Sequence, residues 1–164
     1  MLENIDWDER YKGDAEGRPW DTGSPAPELV EYFEHLDSPP AHVFEIGCGT
    51  GTNAIWMSKK GSSVVATDIS PTAIDAALKK AKEASIEIDF KVSDILEESP
   101  AQNESIDFVF DRGVFHVIEP ESRNKFARRV ADLLVSQGHW LCLVGNADEI
   151  RGPEVIGPPQ LMAS

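Results

Sequence analysis

Five short apolar runs alternate with stretches of helical pattern, and the first of them runs straight into a cluster of glycines. His42 to Ile46 is that first run, and Ser63 to Asp68, Ile86 to Val92, Ile106 to Asp111 and His139 to Val144 follow. Between them Thr52 to Lys60 reads as a helix ended by Gly61. Ser70 caps the next helix, with Pro71 at its first position, where the missing N–H costs nothing, and with Ile74, Ala77, Leu78 and Ala81 as its core face. Pro120 starts another, with Phe126, Val130, Leu133 and Leu134 as its inner stripe and Gly138 past its end. Such alternation predicts a parallel sheet with helices on both faces, and right-handed crossovers favour a doubly wound topology. Ligands of such sheets sit beyond the carboxyl ends of the strands, at the switch point beside the first strand. The residues closing strands one to four are therefore expected around one pocket.

Ahead of the first strand, Met1 to Pro27 is polar but carries Trp7, Tyr11 and Trp20. It reads as a short helix around Trp7 to Tyr11 and then a loop. Glu28 to Leu36 has helical spacing and ends at Ser38-Pro39-Pro40. A length of 164 residues argues for one α/β domain. Within it, residues 1–40 form an N-terminal segment, 41–145 a binding core and 146–164 a tail. The net charge of −14 repels phosphate backbones, so nucleic acid and anionic membranes are not expected as partners; a cationic small molecule fits better, or the charge simply aids solubility. No stretch approaches the ~18 apolar residues of a membrane span. The N-terminus has the acidic residues Glu3, Asp6, Asp8 and Glu9 and no apolar run, unlike a secretory signal or a basic transit peptide. Cys48 and Cys142 form no C-x-x-C pair, so neither a metal site nor a disulfide framework is legible. A reducing, cytoplasmic setting is the expectation.

The chemistry gathers at the strand ends. Glu45-Ile46-Gly47-Cys48-Gly49-Thr50-Gly51 is an E-x-G-x-G-x-G loop, in which glycines permit a tight turn and let a ligand approach the backbone. A dinucleotide loop wants G-x-G-x-x-G, and Thr52 stands where its third glycine should fall. Asp68 closes the second strand, where a carboxylate can bind two ribose hydroxyls or cap the turn before Ser70-Pro71. Asp94 and Ile95 close the third strand, where an Asp is also a common turn residue. Asp111-Arg112-Gly113 closes the fourth, either facing the pocket mouth or pairing its own charges. His116 reads equally as a catalytic or as a buried structural histidine.

The glycine loop resembles that of class I methyltransferases. Trp7-Asp8-Glu9-Arg10-Tyr11 with Pro19-Trp20-Asp21-Thr22-Gly23 resembles the opening of the thiopurine methyltransferase superfamily, including plant halide/thiol and bacterial tellurite-type methyltransferases. The likeness continues through Asp68, Asp111-Arg112-Gly113 and Gly157-Pro158-Pro159. It implies a Rossmann-like fold and S-adenosyl-L-methionine as cofactor. By it, Glu45, Gly47, Gly49 and Gly51 would face the methionine part, Asp68 the ribose, and Asp94 and Ile95 the adenine, with Ile69 over its other face. Asp111 and Arg112 would complete the cofactor site. Trp7, Tyr11 and Trp20 would form a lid, and Trp20, Arg112 and His116 would meet the substrate, although the aromatics could instead only pin the segment to the core.

The implied reaction is in-line methyl transfer to a small soft nucleophile: a thiol, a halide, or a tellurite- or selenite-like acceptor. Such a nucleophile needs little base, which fits a sequence without an evident nucleophile–base pair. Class I methyltransferases carry two strands beyond the fifth, so the resemblance implies that this chain lacks them, ending in a Pro/Gly-rich tail from Arg151 to Pro159. An open sheet edge there is expected to favour a homodimer. The alternatives are a cofactor-binding remnant without turnover and, against the Thr52 evidence, an NAD(P)-dependent oxidoreductase.

Overall fold

The computed structural model describes residues 5–13 and 18–145 together with the backbone of 146 and 160–161. Helices α1 (Trp7–Lys12) and α2 (Pro27–Glu34) precede the alternating part. That part runs β1 (His42–Ile46), α3 (Thr52–Lys59), β2 (Ser63–Asp68), α4 (Pro71–Glu83), β3 (Asp89–Val92), β4 (Ile106–Arg112), α5 (Pro120–Leu133) and β5 (Leu134–Leu143). A 3₁₀ turn at Phe115–Val117 lies between β4 and α5, and the two-residue strands β6 (Gly145–Asn146) and β7 (Gln160–Leu161) pair with each other. The main sheet is parallel throughout, in the order β3-β2-β1-β4-β5. This is the doubly wound arrangement, with its switch point between β1 and β4.

Side chains leave a strand alternately to its two faces, and this pleat divides the core in two. Val43 of β1 and Phe108 and Phe110 of β4 pack with Leu29, Ala54, Met57 and Ile74 from α2, α3 and α4. Phe44 and Ile46 of β1 and Val109 of β4 pack with Phe126, Val130 and Leu133 of α5. By the same alternation Glu45 and Arg112 leave the sheet on the first face and Asp111 on the second.

Strand and helix patterning located most elements to within a residue, with three differences. Leu78 is 47% exposed, and Ala73 takes its place beside Ile74, Ala77 and Ala81. The buried stripe of α4 is centred on the alanines, and Leu78, one step past Ala77, turns to the rim. The third strand begins at Asp89, not Ile86, because pairing with β2 starts only at Asp89↔Val65 and Ile86 N still donates to Ala81 O of the helix end. Helix α5 gives way to β5 directly at Leu134, before Gly138. The extra residues are absorbed by a register shift between Ile106↔Leu134 and Phe108↔His139, after which His139 to Leu143 pairs regularly. Among the described residues β5 forms one edge of the sheet and β3 the other. Gly157-Pro158-Pro159 and the rest of the Arg151 to Pro159 stretch lie outside the described residues. Among the described residues no helix is long and apolar enough to cross a membrane.

Candidate active site

β1 ends against the glycine loop, and the loop turns into α3. Gly47 sits at φ +65°, and a Cβ there would collide with the Val114 side chain. Gly49, at φ +54°, would bring a Cβ to 2.8 Å from Tyr11 Oη. Both positions therefore need glycine twice over, for backbone conformation and for close approach. Gly51 packs inward against Ala77 and Phe90 at the start of α3. The cleft above the loop is lined by Tyr11, Trp20, Glu45, Gly47, Gly49 and Arg112, with Asp21 and Asn53 at its sides. A larger surface hollow between α2 and α3, beside Phe33 and Trp56, lies away from the strand ends and holds none of these residues.

Glu45 is the buried carboxyl at the centre of the cleft. It is 2% exposed. Its Oε1 accepts from Asn53 Nδ2 at 3.2 Å, while Oε2 is buried without a hydrogen-bond partner among the described residues. Burial pushes its carboxyl up to about 8, against weaker opposing pulls from the Asn53 and Ala54 hydrogen bonds and the Arg112 charge. Asn53 also accepts from Ala26 N at 2.9 Å, tying α3 to the start of α2.

Asp68 braces the loop from β2. Its Oδ2 accepts from Gly49 N and its Oδ1 from Ser70 N, both at 2.9 Å. The turn-capping role is thus realised. Each carboxylate oxygen has a further lone pair, so ribose hydroxyls are not displaced by these bonds. Burial also raises the Asp68 carboxyl above its usual range.

Not every strand-end residue faces the cleft. Asp111 is fully buried and accepts from Val114 N (2.9 Å), Phe115 N (3.0 Å) and Cys142 Sγ (3.3 Å). It holds the turn after β4 instead of lining the cleft, because the pleat sends it to the opposite face from Arg112. Burial raises it to about 6. His116 is buried, and its Nδ1 accepts from Gly145 N at 3.3 Å. It too is absent from the cleft wall. Asp94 is exposed and caps Leu96 N at 2.8 Å. Ile95 is buried in the α5-side core beside Phe44 and Ile46, whereas Ile69 is 50% exposed.

The N-terminal aromatics do come together. Trp7 and Trp20 meet edge to face at 6.3 Å, and Trp20 Nε1 donates to Tyr11 Oη at 3.3 Å. Sequence reading singled out neither Asn53 nor Thr50, Asp21, Asp8 and Lys80, which connect this segment and the loop to the helices. The W-D-E-R-Y and P-W-D-T-G strings contained the two aspartates, but nothing in the spacing showed their partners.

Residues 2–162 match the family described as thiopurine S-methyltransferase. The chain belongs to that family. It is similar to a probable thiol methyltransferase 2 of Arabidopsis thaliana, 33% identical across 93% of this chain and 65% of that one. A thiocyanate methyltransferase 1 of Brassica oleracea is 31% identical, across 88% of this chain and 62% of that one. A protein solved in work on conversion of a disulfide bond into a thioacetal group during echinomycin biosynthesis superimposes with a TM-score of 0.69 at 32% identity, covering 78% of this chain and 54% of that one. The chain thus spans somewhat under two thirds of the length of these plant relatives.

Proposed function

We propose that the chain binds S-adenosyl-L-methionine and transfers its methyl group to a small soft nucleophile, namely a thiol, a halide, or a tellurite- or selenite-like anion. The observation that carries this is the pairing of Glu45 and Arg112 on one face of the sheet, at the switch point and over a glycine loop. The residues fit that cofactor. The orphaned Oε2 of Glu45 is a buried acceptor awaiting a donor, Gly47 and Gly49 keep the loop free of side chains, and Asp68 retains lone pairs beside it.

When bound, the cofactor supplies a methyl group already activated on sulfur, so transfer is a displacement that needs alignment above all. Glu45 would hold the amino-acid end, and Asp68 the ribose. Arg112, the cation among the described cleft residues, would orient an anionic acceptor, whose own lone pair attacks without loss of a proton. Trp20 and Tyr11 would cover the site and exclude water. A cytoplasmic setting belongs to the same reading, since Cys48 and Cys142 are both free thiols.

Calorimetric titration with S-adenosylhomocysteine, with NADH as control, tests the proposal. Saturable micromolar binding of the first alone is the expected result, and binding of NADH alone would replace it with the oxidoreductase reading. An acceptor screen with hydrosulfide, thiocyanate, iodide and tellurite follows. Binding with no methylated product throughout would leave a cofactor-binding protein without turnover. Arg112→Ala is expected to raise acceptor KM about tenfold or more while changing S-adenosylhomocysteine affinity less than about twofold. An equal loss of both would move Arg112 to the cofactor site. Self-association through the outer edge of β5 is a further part of the reading. Light scattering should show dimers at high concentration, and a strictly monomeric species would remove that part.

A further inference from the structure

The cleft holds only about 50 Å³ of open space. Sites for ligands of drug or cofactor size run to roughly 300–1,000 Å³. The N-terminal segment forms one wall of the cleft, through Tyr11, Trp20, Asp21 and Ser24. Tyr11 Oη lies against Gly49, where the loop offers its backbone, and Trp20 closes on Tyr11.

Two carboxylates hold that segment down. Asp8 Oδ1 accepts from Ser70 Oγ at 2.7 Å and from Thr72 N at 2.9 Å. These groups open α4, whose first N–H groups have no intrahelical partner and favour a negative charge. Ser70 Oγ in turn accepts from Ala73 N at 3.0 Å, so Asp8 completes a cap that Ser70 begins. The hydrogen bonds from Ser70 and Thr72 hold the Asp8 carboxyl well below the usual carboxylate range. Asp21 makes the second attachment, on the glycine loop. Thr50 Oγ1 lies 3.0 and 3.1 Å from its two oxygens, and Lys80 Nζ reaches that same hydroxyl at 2.7 Å and Thr52 Oγ1 at 3.1 Å. Arg18 binds the segment to itself, donating to Tyr11 O at 3.0 Å and lying 3.7 Å from Asp21 Oδ2.

We infer that Asp8 and Asp21 form a two-point clasp that holds Tyr11 and Trp20 over the glycine loop, and that must release before a nucleoside-sized sulfonium cofactor enters or leaves. The identity of the ligand rests on the function proposed above, while the clasp itself does not. Both aspartates are positioning residues, acting through Tyr11 and Trp20. Hydrogen bonds at a protein surface are individually modest, so two such attachments close the segment without locking it.

Stopped-flow binding of S-adenosylhomocysteine to the full chain separates this from a static role. In the wild type the observed association rate should level off with ligand concentration, at the opening rate of the clasp. Asp8→Ala should raise both the association rate and the dissociation rate by roughly tenfold, since the open fraction grows and the closed complex is lost. Asp8→Asn keeps the acceptor oxygen and should restore most of the wild-type behaviour. Association rates equal in wild type and Asp8→Ala would overturn the clasp. Hydrogen exchange without ligand gives the independent reading. Amides of residues 7–12 and 47–53 should exchange faster in Asp8→Ala, and unchanged exchange would also overturn the clasp. If the wild type binds no S-adenosylhomocysteine, the cofactor reading fails, and the exchange result alone decides the clasp.

Discussion

Asp68→Asn is expected to weaken S-adenosylhomocysteine binding by about 100-fold or more, and to destabilise the fold at the same time by about 1–3 kcal/mol. The carboxylate accepts from Gly49 N on one oxygen and from Ser70 N on the other. An amide replaces one of those acceptors with a donor, so an N–H is left facing an NH₂ whichever way the side chain is turned. The loop loses its brace, and a ribose would lose its charged acceptor. Calorimetry reads the affinity and urea denaturation the stability. Lost stability with unaltered affinity would reduce Asp68 to a turn brace and move ribose recognition elsewhere.

The second large effect is on stability as a function of pH. Glu45 is raised from 4.5 to about 8 and Asp111 from 3.8 to about 6, in both cases chiefly by burial. Between their ordinary values and these raised ones, the folded chain holds protons that the unfolded chain has released. Stability is therefore highest below about pH 4–5 as far as these two groups are concerned, and it falls as pH rises through about 6 for Asp111 and about 8 for Glu45. The limiting slope is about 1.4 kcal/mol per pH unit for each group while it titrates. Urea denaturation at a series of pH values should show a decline continuing to about 8. Glu45→Gln should flatten the part above about pH 6 and roughly halve the slope between about pH 4.5 and 6, where Asp111 continues to contribute. A slope that persists above pH 6 in Glu45→Gln would place the buried charge on another residue.

The sequence made the fold legible because β1, β2 and β4 are compact apolar runs, and because Ser70-Pro71 and Pro120 mark helix starts unambiguously. β3 was overextended because Ile86 and Ile88 are apolar for another reason: Ile88 packs against the α2–α4 side of the core while the chain is still leaving α4. The glycine loop was legible for the same local reasons. The strand-end residues were not separable, since a strand end gives a position and not a direction. Asp111 and Arg112 are adjacent in sequence and look like one feature, yet only the second lines the cleft. Ile95 looked available to a ligand and is instead committed to the core. The partners of Asp8 and Asp21 lie 62 and 29 residues away, at Ser70 and Thr50, and no local pattern carries contacts of that range.

The opposite facing of Asp111 and Arg112 has a consequence for how this chain can change over evolutionary time. Position 111 answers to the backbone of the following turn, so most replacements there are purged with the fold. Position 112 lines the cleft, so on the proposed function it is the one of the two that can change with the acceptor at little structural cost. The same alternation makes the length of β4 inviolable. Deleting a single residue upstream would exchange the two, presenting the carboxylate to the cleft and burying the guanidinium. Insertions and deletions are therefore expected to be confined to the turns at either end of the strand.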